Sequence, residues 1–231
     1  MIRVNVVAEG QSELYFVKKI FCTYPYQKGI NILIESRAVQ TSKDNKTGHS
    51  FRGGMDDYLK PKHDIIQWLK ESSDTYITTM FDFYGLPEKF PGYHEAMVQS
   101  DPYMAISILE RELKRDILHD LPDINPERFI PYIQLHEFEA LIFSDLEKLK
   151  EIYLGKENAL KIDGLIRDVK GMKPELINNG FETAPSKRLQ HTIPYRKGAS
   201  VVLVMQEIGI EKMLESCPHF SEWVNQLMKL H

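Results

Sequence analysis

Cysteine is almost missing from this chain: Cys22 and Cys217 are the only two in 231 residues, far apart and in unrelated contexts. That scarcity argues against a disulfide framework and against a cysteine zinc site. Long apolar runs are missing too, since no stretch approaches the roughly 18 consecutive apolar residues of a membrane span. The chain opens on a strand pattern, not on a basic region followed by an apolar stretch, so a cytoplasmic protein with no membrane role is expected. Nor is there an excess of basic charge. The formal net charge is -4, so a polyanionic partner has to be met by a local basic patch or by bound cations. No Gly-x-x-x-x-Gly-Lys loop is present to cradle a triphosphate, and His136-Glu137-Phe138-Glu139 lacks the second histidine of a helical zinc-protease motif. Internal repeats and low-complexity blocks are absent as well.

What is present is an ordinary globular composition, 42% hydrophobic and 27% charged, enough for one sizeable core. Residues 2 to 8 are apolar on both faces except for Arg3 and Asn5, which suits a strand covered on each side of a parallel sheet. Leu14, Val17, Ile20 and Phe21 then recur at steps of three and four, predicting a helix from Gln11 to about Tyr24. Further strands are predicted over Asn31 to Val39, Thr75 to Phe83 and Phe129 to Leu135. Helices are expected from near Asp56, from Asp101-Pro102, where proline takes the first helical position, and from Glu137 through Phe143. Strands and helices alternating over the first ~140 residues predict an α/β fold with a mostly parallel sheet flanked by helices. From Asp145 onward the pattern is mainly helical. The expected organisation is an α/β core over 1–144 with a helical region over 145–231 packed on it, or a single domain.

Three strand-to-helix junctions carry acids, and an open α/β sheet gathers its strand ends along one edge, where ligands bind. Glu9, Asp82 and Glu137 or Glu139 are expected to meet there, and Glu13, four residues after Glu9, falls in the first turn of the first helix. Carboxylates held close together repel unless a cation sits among them or some stay protonated. Their hard oxygens favour Mg²⁺, Mn²⁺ or Ca²⁺ over zinc. The plainer alternatives are a helix-dipole role for Glu13 and a turn-forming role for Asp82. His136 reads more simply as a structural residue than as a ligand.

Positive charge is concentrated in two places. Between Ser186 and Lys197 the chain carries Lys187, Arg188, Arg196 and Lys197 with His191 and no acid, either a solvated face or a phosphate-contacting patch. The polar segment Gln40 to Gly54 carries Lys43, Lys46, His49 and Arg52 and ends in Gly53-Gly54, where exposed backbone N–H groups at a helix start suit an anion.

A strand ending in Glu9-Gly10, a later strand ending in Asp82 and an acid after a further strand together resemble the Toprim fold of topoisomerases, primases and overcoming-lysogenization-defect nucleases. The phrases E-G-Q-S-E, D-F-Y-G-L-P with F-P-G behind it, L-H-E-F-E-A-L-I-F and P-S-K-R-L make the chain look more closely like an uncharacterised Toprim-related bacterial family, from Glu9 to Leu189. The resemblance implies a Toprim-like core whose acids bind Mg²⁺ or Mn²⁺ for phosphodiester cleavage. Glu9, Glu13 and Asp82 match the metal-holding positions of the nuclease branch, with Glu9 also catalytic. Glu137, Glu139 and the catalytic Lys187 are the best matches for the later acid and the lysine. Arg52, Arg188, Arg196 and Lys197 would then contact nucleic acid. The resemblance further implies an ABC-type ATPase partner and a setting in phage defence. One departure stands out: the Asp-x-Asp usual in Toprim domains is Asp82-Phe83-Tyr84 here. That change keeps a second reading open, an inactive Toprim-like module that docks on an ATPase or on nucleic acid.

Overall fold

The first strand shows why the sheet is doubly covered. The structure, a computed structural model, describes residues 1–39, 55, 57–177, 183–196 and 198–230. In β1 (Ile2–Ala8) every residue from Val4 to Ala8 is buried. Val4 and Val6 point into one apolar cluster and Val7 into the other, as the period of two requires. β1 pairs in parallel with β2 (Ile32–Ala38) on one side and with β3 (Thr75–Asp82) on the other. Two short strands, β4 (Phe129–Ile130) and β5 (Ile133–Gln134), both pair in parallel with β3. The path through the sheet is β2-β1-β3-β4. The chain therefore leaves β1 toward one side for β2 and toward the other for β3, which makes the β1/β3 boundary the topological switch point where such sheets open a crevice.

One face is covered by α3 (Leu59–Glu71), α4 (Tyr93–Met97) and α5 (Pro102–His119). In α5, Ile106, Leu109, Leu113 and Ile117 form one buried stripe, each side chain contributing roughly 1.5–3 kcal/mol by leaving water. Asp101 caps α5 by accepting from Tyr103 N at 2.9 Å, and Pro102 takes its first position. The other face is covered by α1 (Gln11–Lys19), α2 (Tyr24–Gln27), α6 (Leu149–Ile152), α7 (Lys156–Asp168), α8 (Pro185–Thr192), α9 (Ala199–Ile208), α10 (Ile210–Ser216) and α11 (Pro218–Met228). Here Val4, Val6 and Phe16 share one apolar cluster with Leu165, Leu189, Val204 and Phe220. The helical part after residue 145 thus completes the core of that face. No helix among the described residues is long and apolar enough to cross a membrane.

The α/β architecture matches the expectation, and several boundaries do not. The first helix stops at Lys19; a 3-10 turn (Phe21–Thr23) intervenes before α2, which takes Pro25 inside its first turn. The single strand expected over Phe129 to Leu135 is two, split at Pro131, which has no N–H for a ladder. The expected helix after Glu137 is a 3-10 segment, Phe138–Ser144, in which every residue from Phe138 to Phe143 is buried. Side chains buried all round it leave no polar stripe for an amphipathic α-helix. α3 begins at Leu59, whose N–H is accepted by Asp57 at 3.0 Å. Asp56 and the segment Gln40 to Gly54, with Lys43, Lys46, His49, Arg52 and the glycine pair, lie outside the described residues.

Candidate functional site at the carboxyl edge of the sheet

Glu9 leaves β1 one residue after Ala8, and its backbone N–H still donates to Met80 O at 3.3 Å, so it continues the ladder to β3. Its side chain turns across the switch point, where Oε2 accepts from Asp82 N at 3.0 Å. The Glu9 carboxylate therefore reaches the backbone at the end of the adjacent strand, beside the residue expected to share its site. Gly85, just beyond, makes room: a Cβ there would overlap Glu9 Oε1 and lie 3.1 Å from Glu9 Cδ. Gly10 serves Glu13 in the same way, because a Cβ on it would sit 2.8 Å from Glu13 Oε2. Neither glycine needs a left-handed backbone for this; the requirement is close approach. Glu13 lies in the first turn of α1 and is buried.

The third junction follows β5. Tyr84 N donates to His136 O at 3.2 Å, which ties the turn after β3 to the turn after β5. His136 is the one non-glycine residue at positive φ among the described residues, at 62°. Its ring is buried, and Nδ1 has no hydrogen-bond partner among the described residues. Burial pushes its pKa down to about 4, against the pull of Glu137, so the imidazole is neutral at physiological pH. Burial, with Glu137 adding to it, raises the Tyr84 phenol to about 12.

Glu137 and Glu139, at the start of the 3-10 segment that follows β5, have hydrogen bonds of their own. Glu137 accepts from Ser186 N at 2.8 Å through Oε2 and from Ser186 Oγ at 3.0 Å through Oε1. These two hydrogen bonds tie Glu137 to the first turn of α8, and Lys187 is the next residue along that helix. Glu139 is buried and its Oε1 accepts from Tyr195 OH at 3.0 Å. A third tie runs from Gly198 N to Ser12 Oγ at 3.2 Å, beside Glu13. Four hydrogen bonds thus tie the stretch from the start of α8 to Gly198 to Glu137, Glu139 and Ser12. Of its basic residues, Arg188 is half-buried, its Nε donating to Thr183 O at 2.7 Å, and Arg196 is exposed. Lys197 lies outside the described residues, as Arg52 does.

No spacing singled out Ser186, Tyr195 or Ser12, although Ser12 and Ser186 fall inside two of the phrases that carry the family resemblance. Single polar residues carry no periodicity, and their partners are distant in sequence.

The donor set along this edge is carboxylate oxygen, which suits a hard divalent cation. The missing side chains of Gly10 and Gly85 leave the space that the carboxylates of Glu13 and Glu9 occupy. Among the described residues, no group of three or more His, Cys, Asp or Glu side chains stands where it could hold a metal ion as arranged.

Comparison with known proteins adds a family. The model of a family described as "Domain of unknown function (DUF4276)" matches residues 8–228. The chain belongs to that family. The match runs from the last residue of β1 to the end of α11, so acid edge and helical cover fall within the one DUF4276 unit. No curated protein and no solved structure matches the chain.

Proposed function

We propose that the protein is a Mg²⁺- or Mn²⁺-dependent nuclease of Toprim type, cutting phosphodiester bonds at the carboxyl edge of its sheet. The observation that supports this reading best is the bond from the Asp82 backbone N–H to Glu9 Oε2, which draws the Glu9 carboxylate across the switch point to the end of β3. Glu9, Glu13 and Asp82 are the residues that would hold the ion, with Glu137 and Glu139 as the acids nearest to a second one. Bound there, the ion would activate water and stabilise the leaving oxygen. The chain's own contribution is positioning and charge. Gly85 and Gly10 fix where the carboxylates of Glu9 and Glu13 lie. Glu137 anchors α8 so that Lys187 can stabilise the negative charge that develops on the phosphoryl group. Arg188, Arg196 and the neighbouring Lys197, with Arg52 from the segment before α3, would contact the flanking phosphates. They supply locally the attraction that the net charge of -4 denies the molecule as a whole. The family resemblance adds an ABC-type ATPase as partner and phage defence as setting.

The test is cleavage of DNA and RNA by purified protein with Mn²⁺ or Mg²⁺. Glu9→Gln should abolish it, and equal cutting by that variant would overturn the reading. A second reading, a Toprim-like module that docks without cutting, is favoured by Tyr84 in place of the second acid and by the bonds that already engage Glu137 and Glu139. Calorimetric titration with Mn²⁺ separates the two: heat lost in both Glu9→Gln and Asp82→Asn supports the metal site, and silence in the unaltered protein supports the docking module.

A further inference from the structure

Tyr84 stands where an acid would be expected and has a distinctive setting. Its residue is 46% exposed, although it sits in the turn that follows Asp82. Phe83 stacks against it at 5.9 Å between centroids with an interplanar angle of 29°, and the His136 ring lies 5.1 Å away. The Tyr84 backbone is tied to His136 O. The neighbouring turn to which this ring is tied is built at a cost. His136 adopts a left-handed backbone and is only 4% exposed, with Nδ1 buried and without a hydrogen-bond partner among the described residues. Such strain persists only where the surroundings enforce it, and it gathers where geometry matters to function.

We propose that Tyr84, backed by Phe83 and His136, is a stacking shelf for one unpaired nucleobase, so that the substrate of the acid edge is single-stranded nucleic acid. This deepens the nuclease reading and rests on it. A base in a duplex has both faces covered by its neighbours, whereas an unpaired base can lay a face on an aromatic ring, and every base can do so because each has a π-face. The ring belongs to the turn directly after Asp82 and feels the charge of Glu137, so base and backbone of one nucleotide would be addressed together. His136 is a positioning residue here, acting through the ring it supports. The phenol is not required to ionise, and only its face is used.

The test is fluorescence anisotropy with a labelled single-stranded oligonucleotide and the blunt duplex of the same sequence, in Mg²⁺. The unaltered protein should prefer the single strand. Tyr84→Ala should weaken single-strand binding by about tenfold or more while leaving duplex binding little changed, and Tyr84→Phe should restore the preference. His136→Asn, which tolerates the left-handed backbone, should lower the ratio of single-strand to duplex affinity, a readout that a purely structural role would not move. Thermal melting checks that each variant folds. Equal single-strand binding by Tyr84→Ala, or a preference of the unaltered protein for duplex, overturns the shelf. If Glu9→Gln still removes cleavage in that case, the nuclease reading survives alone. If the unaltered protein neither binds nor cuts nucleic acid with any divalent cation, both fall.

Discussion

Two regions bury polar groups in opposite ways. On the flank between α5 and α11, buried donors and acceptors are matched. Glu175 accepts from His219 N at 3.1 Å, Phe220 N at 2.8 Å and Tyr103 OH at 3.3 Å, capping the first turn of α11. Glu110 Oε1 accepts from Ile133 N at 2.8 Å and meets His219 Nε2 at 2.9 Å. Tyr132 stacks between His219 and Trp223, at 5.1 and 4.4 Å. At the acid edge, by contrast, His136 is strained, its Nδ1 lacks a partner among the described residues, and a glycine is needed to accommodate Glu9. Matched burial holds a fold together; burial left strained and partly unmatched costs stability and is kept for another reason. The flank should therefore answer to measurements of stability, and the edge to measurements of function.

The sharpest way to break this contrast is Gly85→Ala. The added methyl displaces the flexible end of Glu9 without disturbing backbone, so the protein should melt within a few degrees of its usual temperature. The proposed metal-dependent cutting should nevertheless fall about 100-fold, since a misplacement of about 1 Å at a reacting site costs on that order. Cutting at the unaltered rate would mean that the position of Glu9 does not matter. Glu175→Ala is the opposite case. It leaves two N–H groups of α11 and the Tyr103 hydroxyl unmatched, at a cost of roughly 2–4 kcal/mol. Melting should drop by roughly 5–15 °C for a chain of this size, while Mn²⁺ binding measured by calorimetry should stay the same.

The two buried histidines sharpen the contrast through pH. His136 has its pKa pushed down to about 4 from 6.5 by burial, so below pH 6.5 the unfolded chain takes up a proton that the fold refuses. Its contribution is full above pH 6.5 and is lost as the pH falls toward 4, by up to about 3 kcal/mol. For His219, burial alone would lower the pKa, but the pairing with Glu110 outweighs it and the net shift is upward. Its contribution is full below pH 6.5 and is lost as the pH rises through the folded value. Urea unfolding across pH 4.5 to 8 should show His136→Asn removing the acid-side loss and His219→Gln removing the alkaline-side loss. Both variants changing the same side would mean that one of these environments is misread.

Local pattern made most of the sheet legible. The continuous apolar run of β1, the β-branched and aromatic run of β3 and the Asp101-Pro102 start of α5 each carry their signal within a few residues. The neighbourhood of Glu9 and Asp82 was legible for the same reason: parallel strands put their carboxyl ends along one edge, and both residues fall at the ends of adjacent strands. Pro131 was visible, but the apolar residues around it read as one strand, because the pattern registers burial and does not register a missing N–H. The Phe138–Ser144 segment misled in the other direction, since residues buried on every side look like helix whichever helix forms. The flank was not legible at all. Glu110, Glu175 and His219 come from three separated segments, and each alone is an ordinary charged residue with no spacing to set it apart.

The smallest expected effect tests whether the matched flank is a network or a set of independent bonds. Trp223 Nε1 donates to Thr78 Oγ1 at 2.8 Å, between α11 and a residue of β3 that is fully buried. Trp223→Phe keeps a ring against Tyr132 but removes the donor, leaving the threonine hydroxyl to find another partner in a dry environment. A loss of about 1 kcal/mol corresponds to that bond alone. If the stacked Tyr132 and the Glu110–His219 pair depend on the indole for their placement, the double variant Trp223→Phe with His219→Gln will lose less than the two single losses added together, because the first change has already spoiled what the second removes. Strict additivity in urea unfolding would show instead that each contact on the flank holds α11 on its own.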